Sequence, residues 1–337
     1  MFQALEDLPK ATNMALFIGQ GVIRGKVMDY DNRTPTREEM EQMKAILREG
    51  MEEGALGLSS GLIYPPGSYT PMEELAELCT AAGEYGGSYA THMRSEGKRL
   101  LESMEETLEV AKRAGVSIVF SHHKVDTRQH KGKSVQSLAL IEKIMASGRK
   151  VLVDAYPYTG AAATLAMVIP HHFVSDGKEA LRQKLMDPET RLQIADLLRK
   201  PGTDFPNILY NCTPEGVLVS GTNPGYDGKT LTQIAAMRRQ DVYETLFDLL
   251  LDYPDAQAIF LSNSLWDMEN ILKKPYVAFG MDGVLNDHKS PNDHPRVNAT
   301  FPRLLGEYCR DRKFFTLEEC VHRMTGLVAD FYGFENK

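Results

Sequence analysis

Two histidines occupy matched places in the chain. His92 closes the short apolar run YATH, and His122 closes VFSH about thirty residues later. That interval is the length of one strand–helix repeat, so both imidazoles are expected at the same end of neighbouring parallel strands. Two convergent imidazoles there would make half of a zinc site. Asp282 ends a third apolar run, in AFGMDG, with Gly283 behind it to let the backbone turn. A carboxylate at that position could bind the metal or take a proton from a water held by it. A plainer reading stands beside this one. A histidine or aspartate at a strand end is often only the first polar residue of a turn.

Other residues are weighed the same way. Lys124 lies two residues past His122 and would suit an anionic substrate group, or is an ordinary exposed lysine. Tyr156 and Tyr158, in DAYPYT, could orient a ligand through their phenols or simply pack. Arg94 and Glu96 follow His92 closely and could pair with each other. Arg296 and Arg303 could meet a carboxylate, or one could cap a helix. His123 should face away from His122. His130, His171 and His172 are expected to face solvent. His288 and His294 lie in DGVLNDHKSPNDHPR, which reads as a lid or as a run of polar turn residues.

The elements that would position these groups alternate along the chain. Strands are expected at 15–23, 55–61, 87–92, 116–122, 150–156, 207–210, 258–262 and 276–282. Helices follow Thr36 and Pro71 and cover 99–115 and 134–148. Further helical stretches fall near 178–199 and 229–251, and two more close the chain. Thr36 with Glu39, and Thr316 with Glu319, have the spacing of capping boxes. Short strands apolar on both faces, separated by helices of several turns, imply a parallel sheet joined by right-handed crossovers. A doubly wound sheet and a (β/α)8 barrel both satisfy that pattern. No Gly-rich phosphate loop follows an early strand, as the first would require. Reactive side chains at the ends of several strands favour the barrel.

Composition narrows the classes. The chain has 337 residues and a net charge of -8, with both signs interspersed, so no basic face invites nucleic acid. No apolar run is long enough for a spanning helix, and the N-terminus lacks a signal-peptide pattern. Cys79, Cys212, Cys309 and Cys320 are scattered, which suits a reducing cytoplasm and not a disulfide scaffold.

Several stretches together carry a family resemblance: GALGLSSGLIYPPG, YGGSYATHMRSEG, SHHK, DAYPYT, GMDG, TFPRLLG and RMTG. In order and spacing, from about residue 15 to 335, the chain resembles the D-aminoacylase, or N-acyl-D-amino-acid deacylase, family of the amidohydrolase superfamily. The resemblance implies that His92 and His122 bind Zn2+, and that Asp282 activates the hydrolytic water and protonates the leaving amine. It implies that Lys124 and Tyr156 hold the α-carboxylate of a small N-acyl amino acid, while Tyr64 lines the pocket. The implied reaction cleaves an N-acyl-D-amino acid to a carboxylate and a free D-amino acid.

The chain also departs from the family. The H-x-D or H-x-H motif of the first strand and a zinc-binding Asn-Cys-Gly are absent; Asn211-Cys212 is followed by threonine. A pocket serine is replaced within Gly160–Ala163. Residues 1–337 are therefore expected to form a single domain, a (β/α)8 TIM-like barrel lacking its first strands and the flanking β-sandwich. Such a barrel exposes strand edges, with a complementing N-terminal segment as a candidate partner. Two alternatives remain at this stage. One is a dihydroorotase- or hydantoinase-like cyclic amide hydrolase, disfavoured because ALGLSSG has no lysine to carboxylate. The other is a non-autonomous fragment or split subunit with no activity of its own.

Overall fold

The computed structural model describes residues 7, 9, 12–174, 177–202, 205–283 and 294–335. The chain enters the sheet at β1 (Ile18–Gly19) and turns at once into helix α1 (Gln20–Met28). A strand across 15–23 was expected, and the difference has a physical cause. A continuous apolar run does not distinguish a strand from a buried helix. Here Arg24 on α1 is fully buried against Glu74, and Gln20 donates to Thr70 Oγ1 (2.8 Å) and Glu74 Oε1 (3.0 Å). These bonds need the helical spacing of residues 20 and 24 on one face.

Helix α2 (Arg37–Glu52) begins in the expected capping box. Glu39 N donates to Thr36 Oγ1 at 3.2 Å, and Thr36 N donates to Glu39 Oε2 at 2.7 Å. Its buried stripe of Met40, Met43, Leu47 and Met51 faces the core. β2 (Gly57–Gly61), α3 (Met72–Gly83), β3 (Ser88–His92), α4 (Leu100–Ala114), β4 (Ile118–Phe120), α5 (Ser134–Ala146) and β5 (Val151–Ala155) continue the alternation. Gly115 ends α4 in the left-handed conformation, with φ of 70°, as a C-terminal glycine should.

After β5 the pattern changes. β6 (Ala161–Thr164) leads through a short helical turn at His171–Val174 to α6 (Lys178–Met186), α7 (Pro188–Leu198) and α8 (Ile208–Cys212). Residues 207–210 were expected to be a strand. Asn207 instead caps α8, accepting from Tyr210 N at 2.9 Å, while its amide group donates to the carbonyls of Leu197, Leu198 and Lys200. β7 (Val217–Ser220), α9 (Leu231–Arg238), α10 (Val242–Asp252) and β8 (Gln257–Phe260) follow. β6, β8 and β7 form an antiparallel layer in that order, whereas 258–262 was expected to join the parallel sheet. This layer has its own apolar cluster, including Leu165, Ile194, Val219, Leu246 and Phe247.

The chain then returns through α11 (Leu265–Leu272) to β9 (Val277–Phe279), which pairs parallel with β5. Helix α12 (Arg296–Arg303), a π-helical segment (Leu304–Asp311), α13 (Leu317–Met324) and α14 (Gly326–Tyr332) close it. Only half of the Thr316 box forms, because Glu319 turns to Arg323 at 3.2 Å. Among the described residues the main sheet has six parallel strands in the order β1-β2-β3-β4-β5-β9. Leu58, Phe120, Val153 and Val277 of its strands share one apolar cluster with Leu47 of α2 and Leu78 of α3. Among the described residues no helix is long and apolar enough to cross a membrane.

Candidate metal centre

Parallel strands end together, so the C-terminal edge of the main sheet collects the polar residues that follow each strand. His92 is the last residue of β3, and His122 lies just past β4. Their rings meet edge to face with centroids 4.5 Å apart. The two imidazoles, one repeat apart in the sequence, are thus neighbours in the fold.

Glu96 joins them. Its Oε1 lies 3.1 Å from His122 Nδ1, and its Oε2 lies 3.3 Å from His92 Nε2. One ligand atom from each of His92, Glu96 and His122 falls within 4.8 Å of the other two. The Arg94–Glu96 pair does not form. Arg94 instead binds Glu106 at 2.9 Å and the carbonyls of Ser68 and Thr70, leaving the Glu96 carboxylate to turn inward. Lys124 is buried, so it is not an ordinary surface lysine. Its Nζ lies 2.6 Å from Glu96 Oε2 and 2.8 Å from His122 Nδ1.

The electrostatics follow from burial and from this carboxylate. Burial, helped by the charges of His122 and Lys124, pushes His92 down to about 3 against the pull of Glu96. His92 is therefore a neutral imidazole near pH 7, the form that ligates metals. Burial alone would raise the Glu96 carboxyl, but its close contacts with His92, Lys124 and His122 favour the carboxylate and hold it well below the usual range. Lys124 is held charged: burial opposes the ammonium, and the Glu96 charge outweighs it. His92 Nε2 is buried and, although 3.3 Å from Glu96 Oε2, makes no hydrogen bond among the described residues. Two imidazoles, one of them with an orphaned nitrogen, and one carboxylate form a donor set that fits a zinc-like cation.

Other side chains ring this cluster. The Tyr64 ring lies 5.4 Å from that of His92. Tyr156 is buried, its hydroxyl unpartnered among the described residues; burial raises it to about 12. Asp282 follows β9 with a φ of 47° and lies outside the group of three, paired with Arg296 Nη1 at 2.7 Å. Arg303 pairs with Glu307 at 2.8 Å. His294 is buried between Tyr158 and the Gly160 carbonyl, to which its Nε2 lies at 2.9 Å. His123 faces away, as expected, and bonds Ser137 Oγ at 2.9 Å. His172 is exposed, but His130 and His171 are only partly so, and all three line a cavity of about 690 Å³. Of the three clustered side chains, Glu96 lines that cavity, and His92 and His122 are not among its described lining residues. His288 and most of the proposed lid lie outside the described residues.

Sequence reasoning passed over Glu96 as a cluster member, and also Asn263. The Asn263 amide is buried beside Lys124 and Tyr156, with neither atom hydrogen-bonded among the described residues. Nothing local marks either residue, since both come from turns whose direction is set by distant packing.

No family model matches the chain. It is 33% identical to the D-aminoacylase of Alcaligenes xylosoxydans xylosoxydans over 330 residues, which cover 98% of this chain and 58% of that protein. Among solved structures, a D-aminoacylase described as defining a novel subset of amidohydrolases superposes with a TM-score of 0.78 at 32% identity. That match covers 99% of this chain and 60% of the other. The N-acyl-D-glutamate deacylase of Bordetella bronchiseptica, complexed with zinc and a phosphonate mimic of the tetrahedral intermediate, gives a TM-score of 0.78 at 28% identity, covering 99% and 61%. The chain thus spans rather more than half the length of each of these relatives.

Proposed function

We propose that the chain, which is similar to D-aminoacylases among the amidohydrolases, hydrolyses the amide bond of N-acyl-D-amino acids with the help of zinc. The observation that carries this reading is the convergence of His92, Glu96 and His122 on one point at the C-terminal edge of a parallel sheet. We read the six strands as an arc of a (β/α)8 barrel, residues 1–337 as one domain, and the four free cysteines as suited to the cytoplasm.

His92, His122 and Glu96 would hold the cation, with Asp282 as a further carboxylate at the same edge. Zinc, when bound, supplies Lewis acidity at the scissile amide. The chain's own residues do the rest. Asp282 takes a proton from the attacking water as its oxygen bonds the acyl carbon. When the C–N bond breaks, Asp282 gives that proton to the leaving nitrogen, so the products are a carboxylate and a free amine. The ammonium of Lys124 and the phenol of Tyr156 hold the α-carboxylate, and Tyr64 walls the pocket beside His92. Anchors at the carboxylate and at the acyl group, with the Tyr64 wall as a third contact against the side chain, select one configuration at Cα.

The test is zinc retained after dialysis, together with amine release from N-acetyl-D-methionine and from its L enantiomer. Zinc binding with hydrolysis of the D form is expected. A protein that retains no zinc, or that cleaves neither enantiomer, overturns the reading.

A further inference from the structure

His122 leaves the sheet in a backbone conformation that residues with side chains seldom adopt. Its φ is 40°, in the left-handed region, where Cβ crowds the following carbonyl. A residue in such a conformation persists only when its surroundings fix it there.

The fixing groups come from β5. Asp154 Oδ2 accepts the His122 N–H at 3.1 Å, and the Asp154 carbonyl accepts the His123 N–H at 2.7 Å. Two successive amides therefore dock on one residue. The β4–β5 ladder ends at Phe120 opposite Val153. Asp154 is the next position along β5, and its side chain takes up an amide that strand pairing no longer serves.

β9 is shaped to admit that side chain. Asp154 pairs with Ala278, which places Gly280 just past it. A Cβ on Gly280 would stand 2.5 Å from Asp154 Oδ2 and 3.2 Å from its Cγ. Gly280 is not among the glycines with positive φ, so what it supplies is room.

We propose that Asp154 is a positioning residue for the metal site, holding the left-handed turn that swings the His122 imidazole beside His92 and Glu96, and that Gly280 is glycine so that the Asp154 carboxylate fits. The proposal rests on the reading of those three side chains as metal ligands. Asp154 acts through His122, by accepting a hydrogen bond, so its shape matters more than its charge.

The experiment uses cobalt(II) as a spectroscopic probe on the purified protein, reading both affinity and the visible d–d band. Asp154→Asn keeps an acceptor in place and is expected to bind within about threefold of the parent with the same band. Asp154→Ala removes the acceptor, and Gly280→Ala displaces the carboxylate without altering it. Both are expected to lose about tenfold or more in affinity, the usual effect of disturbing a group that orients a ligand, and to shift the band. Circular dichroism melts establish that each variant is folded. Should Asp154→Ala not fold, Gly280→Ala against Asp154→Asn decides alone. Equal affinities and spectra across the folded variants overturn the positioning role while leaving the metal reading intact. A parent protein that binds no cobalt overturns the metal reading, and this inference with it.

Discussion

Lys124 Nζ lies 2.6 Å from Glu96 Oε2, with side chains 8% and 1% exposed. Removing one partner of such a pair leaves the other charge buried and uncompensated, which costs about 3–5 kcal/mol. Glu96→Gln in chelator-treated protein is therefore expected to lose stability on that order in urea denaturation. Glu96→Gln combined with Lys124→Met removes both charges and should recover most of the loss. If the single variant loses under about 1 kcal/mol, the pair is not a true buried one.

Asp282 and His122 are expected to separate in their effects. His122→Ala removes a ligand and should abolish both zinc retention and hydrolysis. Asp282→Asn keeps the shape but not the base, so zinc should be retained while kcat falls by about 10²–10⁴. Equilibrium dialysis alongside amine release distinguishes the two. Full activity in either variant removes that residue from the mechanism.

His294 gives the protein a pH-dependent stability. Its Nδ1 accepts the Arg296 N–H at 3.0 Å and its Nε2 faces the Gly160 carbonyl, so both nitrogens are served only in the neutral ring. Burial pushes it down to about 4, and burial does the same to His123. Their folded values lie below the unfolded value near 6.5, so between about pH 4 and 6.5 the unfolded chain binds more protons. Stability then falls as pH drops through that window, by about 1.4 kcal/mol per pH unit for each such histidine. His294→Gln should reduce the slope of unfolding free energy between pH 4.5 and 6 by about that amount. An unchanged slope would show that His294 already titrates normally in the fold.

The parts of the site that were legible in the sequence are those tied to strand periodicity. His92 and His122 sit one repeat apart on adjacent parallel strands, and parallel strands must end on the same edge. Glu96 was not legible, because Arg94 beside it looked like its partner, and only the arrival of Glu106 on α4 takes Arg94 away. The fold shows the same division. Helix α2 announces itself through its capping box and methionine stripe. Helix α1 is fixed by a buried ion pair to Glu74, fifty residues distant. β6, the segment AAAT, carries little β propensity, and its strand exists because Phe260, Ile259 and Ala258 pair with it.

Arg323 staples the strand that leads to Asp282. It is fully buried on α13, donating from Nε to the Val277 carbonyl and from Nη2 to the Leu272 carbonyl, both at 2.7 Å. Its guanidinium lies 4.0 Å from the Phe279 ring centroid and 4.8 Å from that of Phe315. Burial pushes it down to about 10, so the charge persists at neutral pH. Leu272 ends α11 and Val277 begins β9, so one side chain ties the helix to the strand. Arg323→Ala leaves two buried carbonyls short of donors and a void between two rings, which should cost about 3 kcal/mol or more. Arg323→Lys restores charge but has no planar fork to reach both carbonyls or stack on both rings. It should therefore recover less than half of the loss in urea denaturation. Full recovery by lysine would mean that the charge, and not the fork, holds β9 in place.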